Sequence, residues 1–562
     1  MINIYYKKSK RLLYYFFGLI LDIFNLIAYY VECAFFNLKP LSFIETKRNS
    51  RISCFISKAA EQDFLDGKVQ VLSNTQVHFE NWWTDPHSGY SWTCKWHKIS
   101  NGERPAEADI KVPWEIGRLQ ELTYFAMYSD DSKVRKRIEY LINDFVNKNP
   151  PYLGVQWACP MDVSIRSVNI VILLTKALRV DVGHLNDKKI KVWMKHALRH
   201  ITYYNEKNGN SRNNHYFSNL MGQAALLYFQ VFCSETSPST NLRKRINKVK
   251  CCFFEELEFQ FDDDGFNFEG SINYHRLVSE ISLITYLFLK ELGCFSEEEN
   301  TLAKDKINKI LTINRYNHNG DFYHNIGDTD SGFVLDFNRK YCTNDNSQLI
   351  KDLRCNGEYL LSITDVSKFD IHLLYDSMIK VDCIQVDNLI TMSKYPSSDS
   401  SELQLNVGSD SFESVFINKS IGIAKLWFNG GWILIKFPGV MSSGHSHYDH
   451  FRVELKVGGI YYSLFSGTKT YLKNCRYETR VTNYNRTNEK CKKIDQFAQL
   501  PLVFDGPEIK STTTCFSVSS NLEYIKVELS NGFLTLDSNT RPFIKTKEAW
   551  TAYGFTSKVN LV

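Results

Sequence analysis

The chain has 562 residues, of which 43% are apolar and 23% charged, a composition typical of folded globular proteins and unlike that of disordered ones. This length exceeds what one ordinary hydrophobic core supports, so two or three domains are expected. A net charge of +5 without a long basic run does not indicate a nucleic-acid partner, although it is compatible with an anionic substrate.

Residues 1–85 are predicted as an N-terminal extension that contains an apolar helix. A short basic stretch precedes residues 12–36, which are apolar and aromatic as in a signal anchor. Asp22 and Glu32 interrupt this segment, and the uninterrupted run Leu12–Leu21 is too short for a hydrocarbon core of ~30 Å. Two interpretations stay open: association with a membrane, either across it or in its interface, and a helix packed on the protein.

Residues 86–390 are predicted to form a helical domain. Apolar residues recur at helical spacing in eight segments of similar length, and short turns rich in Asn, Gly, Asp or Pro separate them. Such helices bury their apolar faces as antiparallel pairs, which predicts an α/α toroid (an incomplete barrel) or a solenoid. The predicted helices are Glu115–Tyr128, Ser132–Asn147, Asp162–Leu178, Lys188–Tyr204, His215–Phe232, Leu242–Phe261, Ser271–Leu292 and Glu297–Ile313.

Residues 391–562 change to a β pattern. Ile421–Lys436 consists of two β-rich runs around Asn429-Gly430, which is a strong hairpin signal. Phe451–Leu464 alternates in the same way around Gly458-Gly459. Together these segments predict an antiparallel β-sandwich.

The first candidate site residues are Asn213, Asn214 and His215, at the start of a predicted helix. An Asn in this position is often only the N-cap of the helix. Two Asn and a His exceed what a cap needs, and they indicate a neutral hydrogen-bonding site for a substrate carboxylate.

The second candidate segment leads into the helix that follows residue 270. Ser271 is a suitable cap, and Tyr274 falls in the first turn, where its hydroxyl is expected to face a central cleft. A buried structural tyrosine is the alternative. The acidic run 262–264 lacks the spacing of a calcium loop. The further candidates for substrate contact in this segment are Glu269, His275 and Arg276.

Two more segments are candidates to line the same cleft. Asp328 and Asp330 lie in the polar loop Gly327–Gly332, which is either a plain turn or part of the site. Trp157 and Arg166 would serve as a stacking platform and an anion partner, although core packing and a surface ion pair explain them equally well.

The densest cluster of histidines is in Ser443–His450, where three imidazoles and a carboxylate fall within six residues. Imidazole is the side chain that most readily exchanges a proton or binds a metal near neutral pH. The two-residue spacing of His445 and His447 would place both rings on one side of a strand. This pattern suits a metal site, which would need further ligands, or a catalytic His beside a structural one.

Together, these segments resemble the heparinase II/III-like proteins, a branch of polysaccharide lyases, and especially members found with bacterial surface-polysaccharide genes. The resemblance covers roughly residues 75–500 in family order. It implies an N-terminal α/α toroid, a C-terminal antiparallel β-sandwich and a uronic-acid polysaccharide as substrate. The segments that carry it are Asp109–Gln120, Asn213–Leu220, Asn267–Leu277, Gly327–Gly332 and Gly444–Asp449.

The resemblance also implies cleavage by β-elimination. Removal of the weakly acidic C5 proton requires a neutralised carboxylate, a base, and an acid for the leaving oxygen. By resemblance, Asn214 and His215 neutralise the carboxylate, Tyr274 is the base or both base and acid, and His445 is the other proton carrier. A free tyrosine has a pKa near ~10, so Tyr274 would need cationic or hydrogen-bonding neighbours. The candidates for these neighbours are His215, His275 and Arg276.

The zinc site of some family members is not expected here. His447 fits the first of the three ligands of that site. Phe465 precedes Ser466-Gly467-Thr468 in the region where the family has an Asp, and Asn485 stands in place of the second His. We therefore predict neither zinc nor another cofactor.

Three functions stay open at this stage. The first is a cofactor-free lyase acting on an acidic polysaccharide, and the second is a non-catalytic polysaccharide-binding or surface-polysaccharide assembly protein on the same fold. The third, a glycoside hydrolase, requires paired carboxylates such as Asp328 and Asp330. The expected location is the cell envelope, periplasmic or membrane-associated, with the cytoplasm as the alternative. The sequence does not indicate the sugar, the linkage or the oligomeric state.

Overall fold

The structure is a computed structural model, and most of its described residues belong to helices. It describes residues 2–35, 58–71, 75–79, 81–100, 105, 108–177, 187–207, 212–234, 237–318, 323–324, 326–328, 332–335, 360, 366 and 445. Beyond residue 400, it otherwise describes only the strands named below.

The N-terminal part packs on the helical core. Helix α1 spans Ile2–Phe35, helix α2 spans Lys58–Leu65, and an antiparallel hairpin pairs β1 (Lys68–Val71) with β2 (Thr75–His78). The ring of Phe64 stacks on Phe125 at 4.1 Å between centroids, and Trp82 Nε1 donates to Asp144 at 2.9 Å. The segment predicted as an extension therefore contributes residues to the same core as the helices that follow.

The predicted helices are confirmed, with one break. The sequence predicts a single helix over 115–128, but the structure has two, because Leu119 adopts a left-handed conformation (φ 59°) that an α-helix cannot continue. Short helices of 3₁₀ and π type cover Val155–Trp157 and Leu173–Ala177. The remaining helices are α3 (His97–Ser100), α4 (Lys111–Gly117), α5 (Gln120–Tyr128), α6 (Ser132–Lys148), α7 (Pro160–Ile172), α8 (Asp187–Tyr203), α9 (Asn214–Phe232), α10 (Thr240–Gln260), α11 (Ile272–Glu291) and α12 (Glu297–Asn317).

Inner and outer helices alternate along the chain. All 13 residues of α7 are buried, as are 14 of the 19 in α9 and 18 of the 20 in α11, so these helices form the centre. Only 7 of 21 residues are buried in α10 and in α12, which places one face of each towards solvent. This alternation is that of an α/α toroid.

Local sequence signals position the start of several helices. The side chains of Asp131, Ser239 and Ser271 accept hydrogen bonds from main-chain N–H groups in the first turns of α6, α10 and α11. Ser296 and Glu299 form a reciprocal capping box at the start of α12. These caps satisfy N–H groups that would otherwise lack partners, and so they fix where the helices begin.

The C-terminal part contains two five-stranded antiparallel sheets. In the first, Phe428 pairs with Gly431 and Val457 with Ile460, so both predicted hairpins are present. The packing of the two sheets as a β-sandwich stays a prediction. The first sheet has the order β4 (Phe412–Asn418), β5 (Ile423–Phe428), β6 (Gly431–Lys436), β7 (Val453–Val457), β8 (Ile460–Ser463); the second has the order β3 (Gln404–Val407), β10 (Phe516–Ser520), β11 (Tyr524–Leu529), β12 (Gly532–Asp537), β9 (Leu502–Asp505). A separate pair joins β13 (Glu548–Thr551) to β14 (Ser557–Asn560).

The first sheet contacts the helical domain through an apolar cluster with a buried lysine in it. Trp427 and Trp432 pack with residues that flank the N-terminus of α11 and with the end of α12. Lys425 is fully buried, and its Nζ donates to the main-chain oxygens of Tyr316 at 2.9 Å and His318 at 2.7 Å. A cation at the C-terminus of α12 satisfies carbonyls that have no partner within the helix.

Lys425→Met should therefore lower the thermal stability of the protein. The substitution keeps an unbranched side chain but removes the donor to one buried and one partly buried carbonyl, and the loss costs about 1–3 kcal/mol for the buried group. Thermal unfolding followed by circular dichroism checks this expectation, with Lys244→Met on the exposed side of α10 as the matched control. An equal melting temperature for both variants would contradict the proposed role of Lys425.

Candidate active site

Four segments that are distant in the sequence meet at one place: the N-termini of α9 and α11, the loop 326–328, and His445. Ser271 Oγ accepts from Tyr274 N at 3.2 Å and donates to Asp328 O at 2.7 Å, which attaches the loop to α11. Asp328 N donates to His445 O at 2.9 Å. Gly327 has φ 77°, and a Cβ there would come within 2.8 Å of His445 O, so the close approach of these segments requires glycine.

The imidazole of His445 lies between two buried carboxylates. Nδ1 is 2.8 Å from Asp328 Oδ2, and Nε2 is 3.4 Å from Glu269 Oε2. Asp328 and Glu269 are at most 1% exposed, whereas 17% of the His445 side chain is exposed. A hydrogen bond from Nδ1 to Asp328 fixes the orientation of the ring and leaves Nε2 as the nitrogen that can exchange a proton.

The ring of Tyr274 stacks on His445. The ring centroids are 3.7 Å apart, and the planes differ by 20°. Tyr274 is 7% exposed, so it is largely buried as the structural alternative requires. Its neighbour is nevertheless the imidazole of the His cluster, and a phenol and an imidazole in contact are a suitable pair for proton transfer.

Asn214 binds Glu269 rather than facing open space. Its main-chain N donates to Glu269 Oε1 at 2.8 Å, and its Nδ2 lies 2.9 Å from Oε2. The Oδ1 of Asn214 is buried and makes no hydrogen bond among the described residues. Asn213 is the N-cap of α9, since its side chain accepts from His215 N at 3.1 Å. In this geometry Asn214 holds the carboxylate that faces Nε2 of His445.

His215 pairs with Glu206, a residue that belongs to none of the sequence motifs. Its Nδ1 lies 3.1 Å from Glu206 Oε1, and Asn219 Nδ2 donates to Glu206 Oε2 at 3.2 Å. Burial opposes a charge on His215, but the Glu206 carboxylate and a hydrogen bond with Cys159 outweigh it and raise the pKa of His215 well above its ordinary value of 6.5. The side chain is 34% exposed, so it offers a positive charge to a ligand.

Glu206→Gln should lower the pKa of His215, because the opposing charge is lost while the burial stays. A histidine with a raised pKa in the folded state stabilises the protein below pH 6.5, and this contribution disappears as the pH rises through the folded value. Glu206→Gln should thus lower the thermal stability more at acidic pH than at alkaline pH. Hydrogen–deuterium exchange of histidine C2 protons followed by mass spectrometry checks the pKa.

His275 is the internal control for that titration. Burial lowers its pKa to about 4, and Glu206 is not among the causes of this shift. An unchanged His215 titration in Glu206→Gln would show that the ion pair does not set its charge.

The structure places two of the predicted substrate contacts in the core. Trp157 is fully buried, and its Nε1 donates to Asn149 O. Arg166 is also fully buried and donates to Gly117 O, to Gln156 O at 2.9 Å and to Gln156 Oε1 at 2.6 Å. The predicted roles as stacking platform and anion partner do not fit these positions, because neither side chain reaches a surface.

His275 and Arg276 are likewise structural. His275 Nδ1 accepts from Asn267 N at 3.2 Å, and Nε2 donates to Ile310 O at 3.2 Å. Arg276 is 2% exposed, packs on Phe333 and donates to Gly332 O. Both side chains are buried and have partners inside the protein, which does not fit the predicted contact with substrate or the support of Tyr274. Arg276 instead anchors the chain that follows Asp328.

Two predicted residues lie outside the described part of the chain. These are Asp330 and His447, so the prediction that no zinc is bound stays a prediction. Glu206 was missed because it lies in a loop after α8 and belongs to no motif. The only signal for it was a lone acidic residue shortly before the Asn-Asn-His sequence.

Comparison with known proteins gives structural similarity only. No protein-family model and no curated protein sequence matches the chain. A crystal structure of a mutant heparan sulfate lyase HepC from Pedobacter heparinus is similar at 14% identity and a TM-score of 0.44, over 92% of this chain and 73% of that one.

A second structure, Heparinase III, is similar at 14% identity and a TM-score of 0.47, over 89% of this chain and 72% of that one. By name these two structures are a heparan sulfate lyase and a heparinase, and the sequence motifs resemble the heparinase II/III-like proteins. Because the identities and TM-scores are this low, a reaction can be assigned only from the chemistry of the residues in the site.

Proposed function

We propose that this protein is a polysaccharide lyase that cleaves a uronic-acid-containing polysaccharide by β-elimination, without a cofactor. The observation that carries the proposal is the contact between Tyr274 and His445, with His445 held between Asp328 and Glu269. A phenol and an oriented imidazole side by side supply the base and the acid that the reaction needs. The substrate classes we consider are heparin- or heparan-like, alginate-like and bacterial surface polysaccharides.

The substrate carboxylate must be neutralised before C5 loses its proton. His215 fits this role, because the ion pair with Glu206 keeps it positively charged and its side chain is partly exposed. The role first expected of Asn214 needs refinement, since its amide nitrogen donates to Glu269. We assign Asn214 as a positioning residue for Glu269, and we assign the neutralisation of the substrate carboxylate to His215. The N-terminus of α9 adds a positive dipole on the same side.

One member of the pair Tyr274 and His445 then accepts a proton from the substrate, and the other donates one to it. The C5–H bond breaks, its proton passes to Tyr274 as phenolate or to His445, and the electron pair forms the C4=C5 double bond. The C4–O bond breaks, and the leaving oxygen takes a proton from the partner of the base. Asp328 orients His445 for these transfers through the hydrogen bond at Nδ1.

The test is a screen of purified uronate polymers with the full chain. A lyase introduces a double bond conjugated to the carboxylate, so ultraviolet absorbance should rise, and mass spectrometry should find products lighter by one water than hydrolysis products. Products of hydrolytic mass would instead favour a glycoside hydrolase. That class is not favoured by the site, because Glu269 and Asp328 are buried and both contact the same imidazole.

A polysaccharide-binding or assembly protein without activity is the second candidate. The observation in its favour is that the amide nitrogen of Asn214 is occupied by Glu269 within the protein. Affinity for a uronate polymer without any product, under conditions that keep the protein folded, would select this alternative. Under either function we expect the protein in the cell envelope, since finished polysaccharides are found there.

A further inference from the structure

One face of helix α1 attaches to the helical domain through polar contacts. Asp22 Oδ2 accepts from Trp96 Nε1 at 2.8 Å and from the Tyr204 hydroxyl at 2.5 Å. Near the other end of the helix, both carboxylate oxygens of Glu32 accept from Lys195 Nζ at 2.9 Å. Both acidic residues of α1 thus lie at most 9% exposed against the protein.

The opposite face of α1 is apolar and exposed. Phe24 is 67% exposed and Ile27 is 55% exposed. Among the described residues, 13 large apolar side chains are exposed, and nine of these are on α1, so this apolar surface is concentrated on one helix. The nine are Phe16, Phe17, Leu21, Ile23, Phe24, Ile27, Tyr30, Val31 and Phe35.

The contacts argue against a helix that crosses the bilayer. Phe16–Phe35 has 20 residues with a mean hydropathy of 1.6, which is sufficient by length and composition alone. To span a membrane, α1 would have to leave Trp96, Tyr204 and Lys195. Asp22 would then enter the hydrocarbon region, at a cost of about 2.5–3.5 kcal/mol near its centre.

The charge of the helix identifies the surface that it fits. Lys7, Lys8, Lys10 and Arg11 belong to α1, and no acidic residue precedes Asp22. Each basic residue near an anionic lipid surface contributes about 1 kcal/mol of attraction. An apolar face next to a basic stretch on one helix is the pattern of an interfacial membrane helix.

We propose that α1 is an in-plane anchor, which inserts its apolar face into an anionic lipid surface while its polar face holds the helical domain. This arrangement keeps the contacts of Asp22 and Glu32 and covers the exposed apolar side chains. It places the protein on the membrane rather than across it, and it does not depend on the proposed reaction.

Flotation of the full chain with lipid vesicles tests the proposal. The protein should bind vesicles of phosphatidylcholine with phosphatidylglycerol and bind phosphatidylcholine alone more weakly. Phe24→Glu with Ile27→Glu should lower partitioning by at least ~10-fold, because two apolar side chains no longer enter the lipid. The matched control is Phe259→Glu with Leu302→Glu, exposed apolar residues on α10 and α12, which should bind like the wild type.

Three results would overturn the in-plane anchor. The first is equal lipid binding of the two double variants. The second is a wild-type protein that stays in the membrane fraction after extraction with alkaline carbonate. The third is a wild-type oligomer that Phe24→Glu with Ile27→Glu converts to a monomer without any change in lipid binding. The second would indicate a spanning helix, and the third an interface between two copies. Because the substituted residues are exposed, folding should persist, and hydrogen exchange of residues 16–35 with and without vesicles provides a measurement that needs no variant.

Discussion

Tyr274→Phe should reduce kcat of the elimination by about 10²–10⁴-fold, because the substitution removes only the hydroxyl that exchanges the proton. The stacking on His445 needs the ring alone, so the position of the imidazole should be kept. The initial rate of the absorbance increase, on the polymer that the screen identifies, measures the effect.

Tyr286→Phe is the matched control for this variant. Tyr286 lies about three turns further along α11, is fully buried, and donates its hydroxyl proton to Asn300 Oδ1 at 2.8 Å. The Tyr286→Phe variant therefore loses a buried hydroxyl and its hydrogen bond, but the substitution lies away from the candidate site. If both variants kept wild-type rates, Tyr274 would have no part in the proton transfer. If both lost activity equally, the loss would report on the packing of α11.

Asp328→Asn should lower kcat by on the order of 10²-fold with little change in KM. The main-chain bonds of Asp328 to Ser271 and His445 do not depend on the carboxylate, so the loop should stay in place. Without the carboxylate, Nδ1 of His445 faces a neutral amide that can donate as well as accept, so the ring can adopt the other tautomer. Asp328 acts through His445 and is a positioning residue.

A conservative variant separates this role from a structural one. Asp328→Glu keeps a carboxylate and should recover part of the kcat that Asp328→Asn loses, because a charged acceptor for Nδ1 of His445 is restored. Thermal unfolding of the variant should show that it is folded. A kcat in Asp328→Glu no higher than that in Asp328→Asn, or a reduced rate explained wholly by KM, would contradict the assignment.

Local sequence patterns predicted the elements well. Helix starts are set by short-range hydrogen bonds such as that from Tyr274 N to Ser271 Oγ, and this information lies within three residues. The turn at Asn429-Gly430 is equally local and joins the paired strands β5 and β6. The break at Leu119 was missed, because it arises where α4 and α5 pack on other parts of the chain.

The candidate site was predicted only in part. The family resemblance, rather than their spacing, placed Tyr274 and His445 in one site, and the structure brings their rings into contact. The same resemblance gave no means to tell that His275 and Arg276, the next two residues, point into the interior. Glu206 carries no motif, so its pairing with His215 could be found only once the fold had brought the end of α8 to the start of α9.

The amino-acid sequence by itself determined the alternation of helices and strands, their caps and turns, and the residue types available for proton transfer, because periodicity and capping act over a few residues. Tertiary structure decided which of those residues meet. The contact between Asp328 and His445 joins positions 117 residues apart, and that between Asn214 and Glu269 joins positions 55 apart. Such pairs depend on how whole helices and loops pack, so the spacing of residues along the chain does not show which of these polar side chains meet.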